Sequence, residues 1–261
     1  MTFVKRELRA EWTKLRTLPS AGWLLAAVVA LTVAVSAAAT ATVSCPSTGC
    51  RYDAPKVGLS GVQAGQAIVV ILAVLSAGGE YGTGMIRTTL TAMPRRTAVL
   101  AAKATMVTAL TSAAGTVAVL GSVLAARLIL PGNGFTAAHG YPPLSLADGP
   151  TLRAAAGSVL YLVLIALLAL GIATAVRDSA TAIGLVFGLL YVLSVLPYLI
   201  TDRDWSRFLW RISPMNAGLA VQSTVHLSSL PIGPWAGLGV LAAWAGAGLL
   251  TGGLLFRLRD A

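Results

Sequence analysis

Charged residues are scarce in this chain of 261 residues. Only 11% of the chain is Asp, Glu, Lys or Arg, and acidic residues are the rarest, with nine Asp and Glu against nineteen Lys and Arg. A soluble domain usually carries about a quarter charged residues. Hydrophobic residues make up 56% of the chain, and so much apolar surface cannot be buried in one soluble core. The composition therefore excludes an ordinary soluble protein and predicts a protein embedded in a lipid bilayer.

Catalytic motifs are also lacking. The sequence contains no Gly-Lys pair, which excludes a Walker A loop for ATP phosphates. It has no His-Glu-x-x-His motif and no Cys/His cluster of the kind that binds zinc, and His139 and His226 fall in predicted loops. We interpret Asp202 and Asp204 as ion-pair partners of nearby arginines rather than as metal ligands. We therefore expect a protein that is not an enzyme and that binds no metal or cofactor itself.

Six apolar runs are long enough to cross a bilayer, since about 20 helical residues span the hydrocarbon core. None contains Asp, Glu, Lys, Arg or His, so no residue is available for the proton relay that proton-driven pumps usually need. We expect an all-α integral membrane fold with six transmembrane helices in one domain over residues 21–261. The predicted spans are approximately residues 21–43, 62–79, 104–126, 154–176, 180–200 and 235–256.

The connections between these runs differ in basic charge. Twelve Lys and Arg lie on the side that carries the N-terminus, the connection 80–103 and the C-terminus, against seven on the other side. Because Lys and Arg are enriched in cytoplasmic loops, we expect a multi-pass protein of the plasma membrane with both termini in the cytoplasm. The net charge of +10 does not indicate nucleic-acid binding, since the basic residues lie at the ends of apolar runs rather than on a folded surface.

The N-terminal segment, residues 1–20, is amphipathic. Its apolar side chains follow helical spacing, and basic residues cover the remaining surface. The run that follows is too long for a signal peptide, and Pro19 would end a helix before it. We predict an interface helix that lies on the inner leaflet; the alternative is a solvated basic leader that only sets topology. The apolar stripe consists of Val4, Leu8, Trp12 and Leu15.

The only two cysteines, Cys45 and Cys50, lie close together in the first connection. The predicted topology puts this connection outside the cell, where thiols oxidise. Pro46 and Gly49 favour a turn between them. We predict a disulfide, although two free thiols remain the alternative.

Small residues recur four positions apart at Gly61/Gly65, Gly184/Gly188 and Gly248/Gly252. Such pairs let helix backbones approach closely in membranes. The alternative is that they reflect only the abundance of glycine in the chain.

The connection 80–103 has the character of a docking segment. Leu90 and Met93 offer apolar side chains suited to a groove on a partner, and three arginines nearby offer charge for orientation. The alternatives are that the arginines only hold topology against anionic lipid and that Glu80 only anchors a membrane boundary. The candidate coupling residues are Glu80, Arg87, Leu90, Met93, Arg95 and Arg96.

The same connection carries a family resemblance. It reads EYGTGMIRTTL over residues 80–90, continues with Met-Pro-Arg-Arg over residues 93–96 and ends at Lys103. This pattern resembles the E-x-x-x-G-T-x-R-x-x-L…P-x-R…K signature of type-2 ABC exporter permeases, with the Gly-Thr pair slightly early. The leader EWTKLRT, residues 11–17, and Ser-Pro-Met-Asn, residues 213–216, are also similar to segments of that family.

The resemblance implies a permease that works with a second permease copy or paralogue and with separate ATPase subunits, which bind the ATP. The connection 80–103 would then be a coupling helix beside the interface helix. The transported substrate and the choice between homodimer and heterodimer stay open. The alternative function is a non-transporting membrane protein that acts in regulation, immunity or assembly.

Overall fold

A computed structural model describes residues 19–46, 50–82 and 96–258, and all regular secondary structure in these ranges is helical. We number the α-helices in chain order and leave short 3₁₀ turns unlabelled. The helices are α1 (Pro19–Thr42), α2 (Ala54–Gly58), α3 (Val62–Gly82), α4 (Arg96–Ile129), α5 (Gly149–Val176), α6 (Ser179–Phe187), α7 (Leu193–Leu199), α8 (Arg203–Ile212), α9 (Pro214–Leu219) and α10 (Pro234–Leu258).

Five helical segments in the described ranges are long and apolar enough to cross a membrane. They correspond to α1, α4, α5, the continuous helix Ser179–Leu199 and α10. The remaining predicted span is α3, whose apolar stretch, Val62–Gly78, is shorter. The chain is therefore an all-α membrane protein with several membrane-spanning helices.

Two helices extend beyond the predicted span ends. Helix α3 continues through Gly78 and Gly79 to Gly82, beyond the predicted span end at residue 79. Helix α4 begins at Arg96, about two turns before the predicted start at residue 104. As a result Lys103 lies within a helix, not in a connection.

The predicted span 180–200 is helical but irregular. A π-helical turn, Gly188–Val192, separates α6 from α7, and Pro197 lies inside α7. Proline removes one helical hydrogen bond, and π-turns introduce one extra residue into a helix. Side chains that follow these two features therefore point in directions different from those in a regular α-helix.

Helix α5 is the centre of the bundle. It packs against α3 and α4 on one side and against α10 on the other, while α1 packs against α3 and α4. Tyr161, Leu162 and Ile165 in the middle of α5 are fully buried. The helix is apolar around most of its circumference, as expected for a helix surrounded by other helices.

Two of the three predicted glycine pairs lie at helix contacts. A Cβ at Gly61 or Gly65 would overlap Thr32 of α1, and a Cβ at Gly252 would overlap Thr174 of α5. Gly184 has open space around it, and so does Gly188. The first and third pairs therefore bring helix backbones together, whereas the middle pair does not.

The bundle has two ends, which we name by a residue at each. The disulfide end carries the Cys45–Cys50 bridge and the start of α5. The Lys103 end carries the end of α3 and the start of α4.

Candidate functional site

The predicted coupling residues fall mostly outside the described residues. Arg87, Leu90, Met93 and Arg95 lie in the undescribed part of the connection, and the side chains of Glu80 and Arg96 are likewise outside the description. Glu80 belongs to the last turn of α3, and Arg96 is the first residue of α4. The interface-helix residues Val4, Leu8, Trp12 and Leu15 also lie outside the described residues.

The described helices on either side of the connection are tied together. The Lys103 ammonium of α4 donates a hydrogen bond of 2.9 Å to the carbonyl oxygen of Ser76 in α3. Lys103 is only 4% exposed. An ammonium group buried this deeply is costly without polar partners, so this contact fixes the start of α4 against α3.

Two further helices meet at the Lys103 end. A Cβ at Gly78 would overlap the hydroxyl of Ser179 at the start of α6, and Leu100 of α4 lies against Gly253 of α10. Helices α3, α4, α6 and α10 therefore converge where the connection 80–103 joins the bundle. A short turn links α5 to α6 here, in which Arg177 adopts a left-handed conformation with φ of 65°.

The carboxylate of Asp178 caps α6. Its Oδ1 accepts a hydrogen bond of 2.8 Å from the amide of Thr181. Hydrogen bonds from the hydroxyl and the amide of Thr181 lower the pKa of the Asp178 carboxyl. Because these bonds favour the ionised form, Asp178 stays charged beside the helix N-terminus.

Cys45 and Cys50 form a disulfide at the other end of the bundle. Cys45 is fully buried, and its amide donates to the carbonyl oxygen of Asn133, at 2.8 Å. A side chain at Gly134, which has φ of 90°, would overlap the carbonyl group of Cys45. The hydroxyl of Tyr141 donates to the carbonyl oxygen of Cys50, at 2.8 Å. The bridged loop is thus packed onto the loop that follows α4.

Asp53 ties the same loop to the last loop of the chain. Its carboxylate accepts hydrogen bonds from the amide and the hydroxyl of Thr224, at 2.6 and 2.7 Å, and from the amide of Val225 at 3.2 Å. Nearby, Arg153 donates to the carbonyl oxygen of Ser223 at 2.7 Å. Hydrogen bonds to ionised groups are stronger than neutral ones, so Asp53 and Arg153 fasten the loops that cap the bundle.

A cleft of about 510 Å³ opens beside these loops. Its walls include Tyr52, Tyr141, the Pro142–Pro143 pair and Asp148. The Asp148 carboxylate is occupied in capping α5, where it accepts from the amide and hydroxyl of Thr151. The cleft is open to its surroundings, and the hydroxyls of Tyr141 and Thr224 in its walls donate to Cys50 and Asp53.

A buried polar network lies within the bundle. The Tyr161 hydroxyl of α5 donates to the side-chain carbonyl oxygen of Gln66 in α3, and the Gln66 amide lies 3.3 Å from the sulfur of Met215. One turn nearer the disulfide end, the Gln222 amide donates to the Ser158 hydroxyl at 3.0 Å. Buried polar groups are costly unless they are hydrogen-bonded, so these partners fix how α3, α5 and the segment 213–223 meet.

The segment 213–223 begins inside the bundle and leads back to the disulfide end, where Arg153 contacts Ser223. Its α9 turn is buried between α5 and α10: Ala217 contacts Gly237 of α10, and Val221 contacts Gly157 of α5. The hydroxyls of Ser213 and Ser194 are 2.9 Å apart where the segment begins. The segment is therefore re-entrant, with irregular backbone shielded by protein, as bilayers require.

Of this network, the sequence analysis singled out only Met215, as part of the Ser-Pro-Met-Asn segment, residues 213–216, and it assigned that residue no partner. Gln66 is a polar residue inside an apolar run, a signal for a buried hydrogen bond but not for its partner. The re-entrant segment resembles a loop in sequence because its helical turns are short. Asp53 followed by Ala and Pro is a signal for a helix N-cap, and Asp53 indeed caps α2, accepting from the amide of Lys56 at 3.3 Å.

Among the described residues, no group of three or more His, Cys, Asp or Glu is placed to hold a metal ion. No model of a known protein family matches the sequence, and a search of curated proteins finds none that matches it.

Proposed function

We propose that this chain is the membrane-spanning permease subunit of an ATP-driven exporter, with six transmembrane helices and both termini in the cytoplasm. A separate ATPase subunit would dock on the connection 80–103, and a second permease copy or paralogue would complete the pathway. The sequence resemblance of that connection suggests this role. The observation that carries it is the hydrogen bond between Lys103 and Ser76, which ties together the two helices entering the connection.

This contact makes α3 suited to transmit a movement. A displacement of the connection would act on α3 and α4 together, because Lys103 and Ser76 join them. Ten residues before Ser76 in α3, Gln66 contacts Tyr161 and Met215. Ten helical residues span about 15 Å, so α3 reaches from the proposed docking site to the polar network inside the bundle.

The docking proposal is tested by purification from native membranes. The double variant Leu90→Asp/Met93→Asp should lose co-purification of the ATPase while it still inserts in the membrane, because the basic residues that set topology remain. The matched control is Leu227→Asp/Leu230→Asp, which places the same charges in the last loop at the disulfide end. Normal ATPase binding by the first variant would mean that docking occurs elsewhere. A wild-type protein that co-purifies with no ATPase would favour the non-transporting alternative.

The orientation is tested separately by cysteine labelling of intact cells. In a background lacking Cys45 and Cys50, a cysteine at position 207 should react with an impermeant reagent, and a cysteine at position 95 should be protected. Labelling at 95 with protection at 207 would invert the topology. Glu80→Gln and Arg87→Gln should lower the ATPase activity stimulated by substrate if these side chains take part in coupling.

A further inference from the structure

Helix α8, Arg203–Ile212, is amphipathic and lies at the disulfide end of the bundle. Its arginines recur every four residues and are all exposed; they are Arg203, Arg207 and Arg211. Four of its large apolar side chains follow the i, i+3, i+4, i+7 pattern of the opposite face, and they are Trp205, Phe208, Leu209 and Ile212. Trp210 instead falls beside the arginines. One face of the helix therefore carries the arginines and one tryptophan, and the other face is aromatic and aliphatic.

Contacts with neighbouring helices place the first half of α8 at the level where a membrane helix ends. The Ser206 hydroxyl donates to the carbonyl oxygen of Pro197 in the last turn of α7, at 2.8 Å. The Arg211 guanidinium donates to the carbonyl oxygen of Pro231 just before α10, at 2.7 Å. The other end of α8 lies deeper, because the carbonyl oxygen of Ile212 accepts a hydrogen bond from the indole of Trp244 in α10, at 2.9 Å. Arg211 extends from α8 toward the end of the bundle, as long basic side chains do at a membrane surface.

The aromatic face is not covered by the described part of the protein. Trp205 is 60% exposed and Phe208 is 51% exposed, and their rings meet edge to face with centroids 5.8 Å apart. Tyr198, at the end of α7, is 75% exposed. Tryptophan and tyrosine concentrate at membrane interfaces, where the ring contacts both lipid and water. These aromatic residues at the end of a membrane span mark the interfacial layer of the bilayer.

The charges around α8 leave the arginine face available to anions. The Asp202 carboxylate is engaged with the helix N-terminus, where it accepts from the amides of Asp204 and Trp205 at 2.9 and 3.0 Å. The Asp202 carboxylate therefore caps α8. Asp204 is the only acidic residue within α8, against three arginines. Guanidinium groups bind phosphate oxygens in a planar, two-pronged geometry.

We propose that α8 is an interfacial helix whose arginines bind the phosphate headgroups of anionic phospholipids, while Trp205 and Phe208 insert among the acyl chains. Exposed aromatic side chains and arginines on adjoining faces fit a lipid that has an apolar tail and an anionic head. If another protein covered this face instead of lipid, the proposal would be wrong. The inference holds whether or not the chain is a transporter, because it depends only on α8 and its neighbours.

The test measures lipid binding by the purified full-length protein with native mass spectrometry. Dioleoylphosphatidylglycerol and dioleoylphosphatidylcholine are titrated separately, and the apparent Kd of the first bound lipid is compared. A basic residue near an anionic surface contributes about a fivefold preference. Wild-type protein should bind phosphatidylglycerol more tightly, and Arg203→Gln/Arg207→Gln should lose most of that preference. Arg203→Lys/Arg207→Lys should retain it, because the charges remain.

The matched control is Arg51→Gln/Arg127→Gln, which removes two exposed arginines near the same end of the bundle but away from α8. This control should keep the preference. An equal loss in the control, or no preference in wild-type protein, would overturn the proposal. The proposal would also fail if Arg203→Gln/Arg207→Gln left lipid binding unchanged but reduced a protein dimer in the same spectra, since the face would then belong to a protein contact.

Discussion

The hydroxyl of Tyr161 donates a hydrogen bond to the side-chain carbonyl oxygen of Gln66 and so links the centre of α5 to α3. Both residues are fully buried. The Gln66 amide has the Met215 sulfur as its neighbour, so one glutamine joins two helices and the re-entrant segment. The position of this segment within the bundle therefore depends on a small number of polar groups.

Replacing Tyr161 with Phe should destabilise the protein, because the Gln66 carbonyl oxygen loses its donor without gaining water. The expected cost is about 1–2 kcal/mol, within the range for buried hydrogen bonds in proteins and membrane bundles. Thermal unfolding in detergent measures it. In Tyr161→Phe/Gln66→Leu, the second substitution should cost less than it does in wild-type protein. Strictly additive effects would show that the two side chains do not interact.

Gly237 should tolerate no side chain. In Gly237→Ala the new Cβ would overlap the carbonyl oxygen of Ala217, which belongs to backbone and has little room to move. The variant should lose at least about 3 kcal/mol, the scale of severe overpacking in a core, and the re-entrant segment should become sensitive to protease. Gly239 in the same helix has open space around it. Gly239→Ala should therefore be neutral or slightly stabilising, since alanine favours helix, and equal effects at both positions would contradict this packing.

The disulfide should stabilise the loop that it closes. The chain-entropy relation gives about 2 kcal/mol for so short a loop, so Cys45→Ser/Cys50→Ser should unfold at a lower temperature than wild-type protein. Treatment of wild-type protein with reductant should produce the same shift and leave the variant unchanged. Peptide mapping of a non-reduced digest should find the two cysteines in one linked species. Recovery of only free thiols would rule out the bridge.

Asp178 should make stability depend on pH in the acidic range. Hydrogen bonds from Thr181 lower the pKa of this carboxyl in the folded protein. The ionised cap therefore contributes stability above the pKa of the unfolded state, and this contribution is lost as the pH falls through the lowered folded value. Asp178→Ala should unfold at a lower temperature than wild-type protein at pH 7.

The control for Asp178 is Asp178→Asn, because asparagine also caps helices but does not titrate. Its unfolding temperature should be closer to wild type at pH 7. The wild-type advantage over it should shrink below about pH 4, where aspartate becomes protonated. A constant difference across that range would show that the charge of Asp178 makes no contribution.

Much of the bundle follows from the apolar runs alone. Charge-free runs of about 20 residues correspond to membrane-length helices at α1, α4, α5, Ser179–Leu199 and α10. The predictions were wrong at the ends of helices, where α3 and α4 extend beyond the predicted spans. Lys103 suggests a connection because lysine avoids lipid, yet its ammonium reaches the Ser76 carbonyl oxygen inside the structure. A tertiary hydrogen bond of this kind leaves no periodic signal in the sequence.

The re-entrant segment shows why the candidate site was harder to predict. Gln222 donates to the carbonyl oxygen of Leu59 at 3.3 Å, although the two residues lie far apart in the chain. Hydrophobic periodicity reports which face of a helix is apolar, but it does not report which distant residue will face it. The predicted coupling residues depend instead on a sequence motif. None of them belongs to the buried polar network that the described residues form.

Asp53 restrains the disulfide end of the bundle. Its bonds to Thr224 join the first and last loops of the disulfide end. The helices that enter these loops are therefore held together at this end and are able to rotate about it. Small rotations about this end produce their largest displacements at the opposite end, where α3 and α4 meet the connection 80–103. Separation at the disulfide end, in contrast, must first release Thr224 from the Asp53 carboxylate.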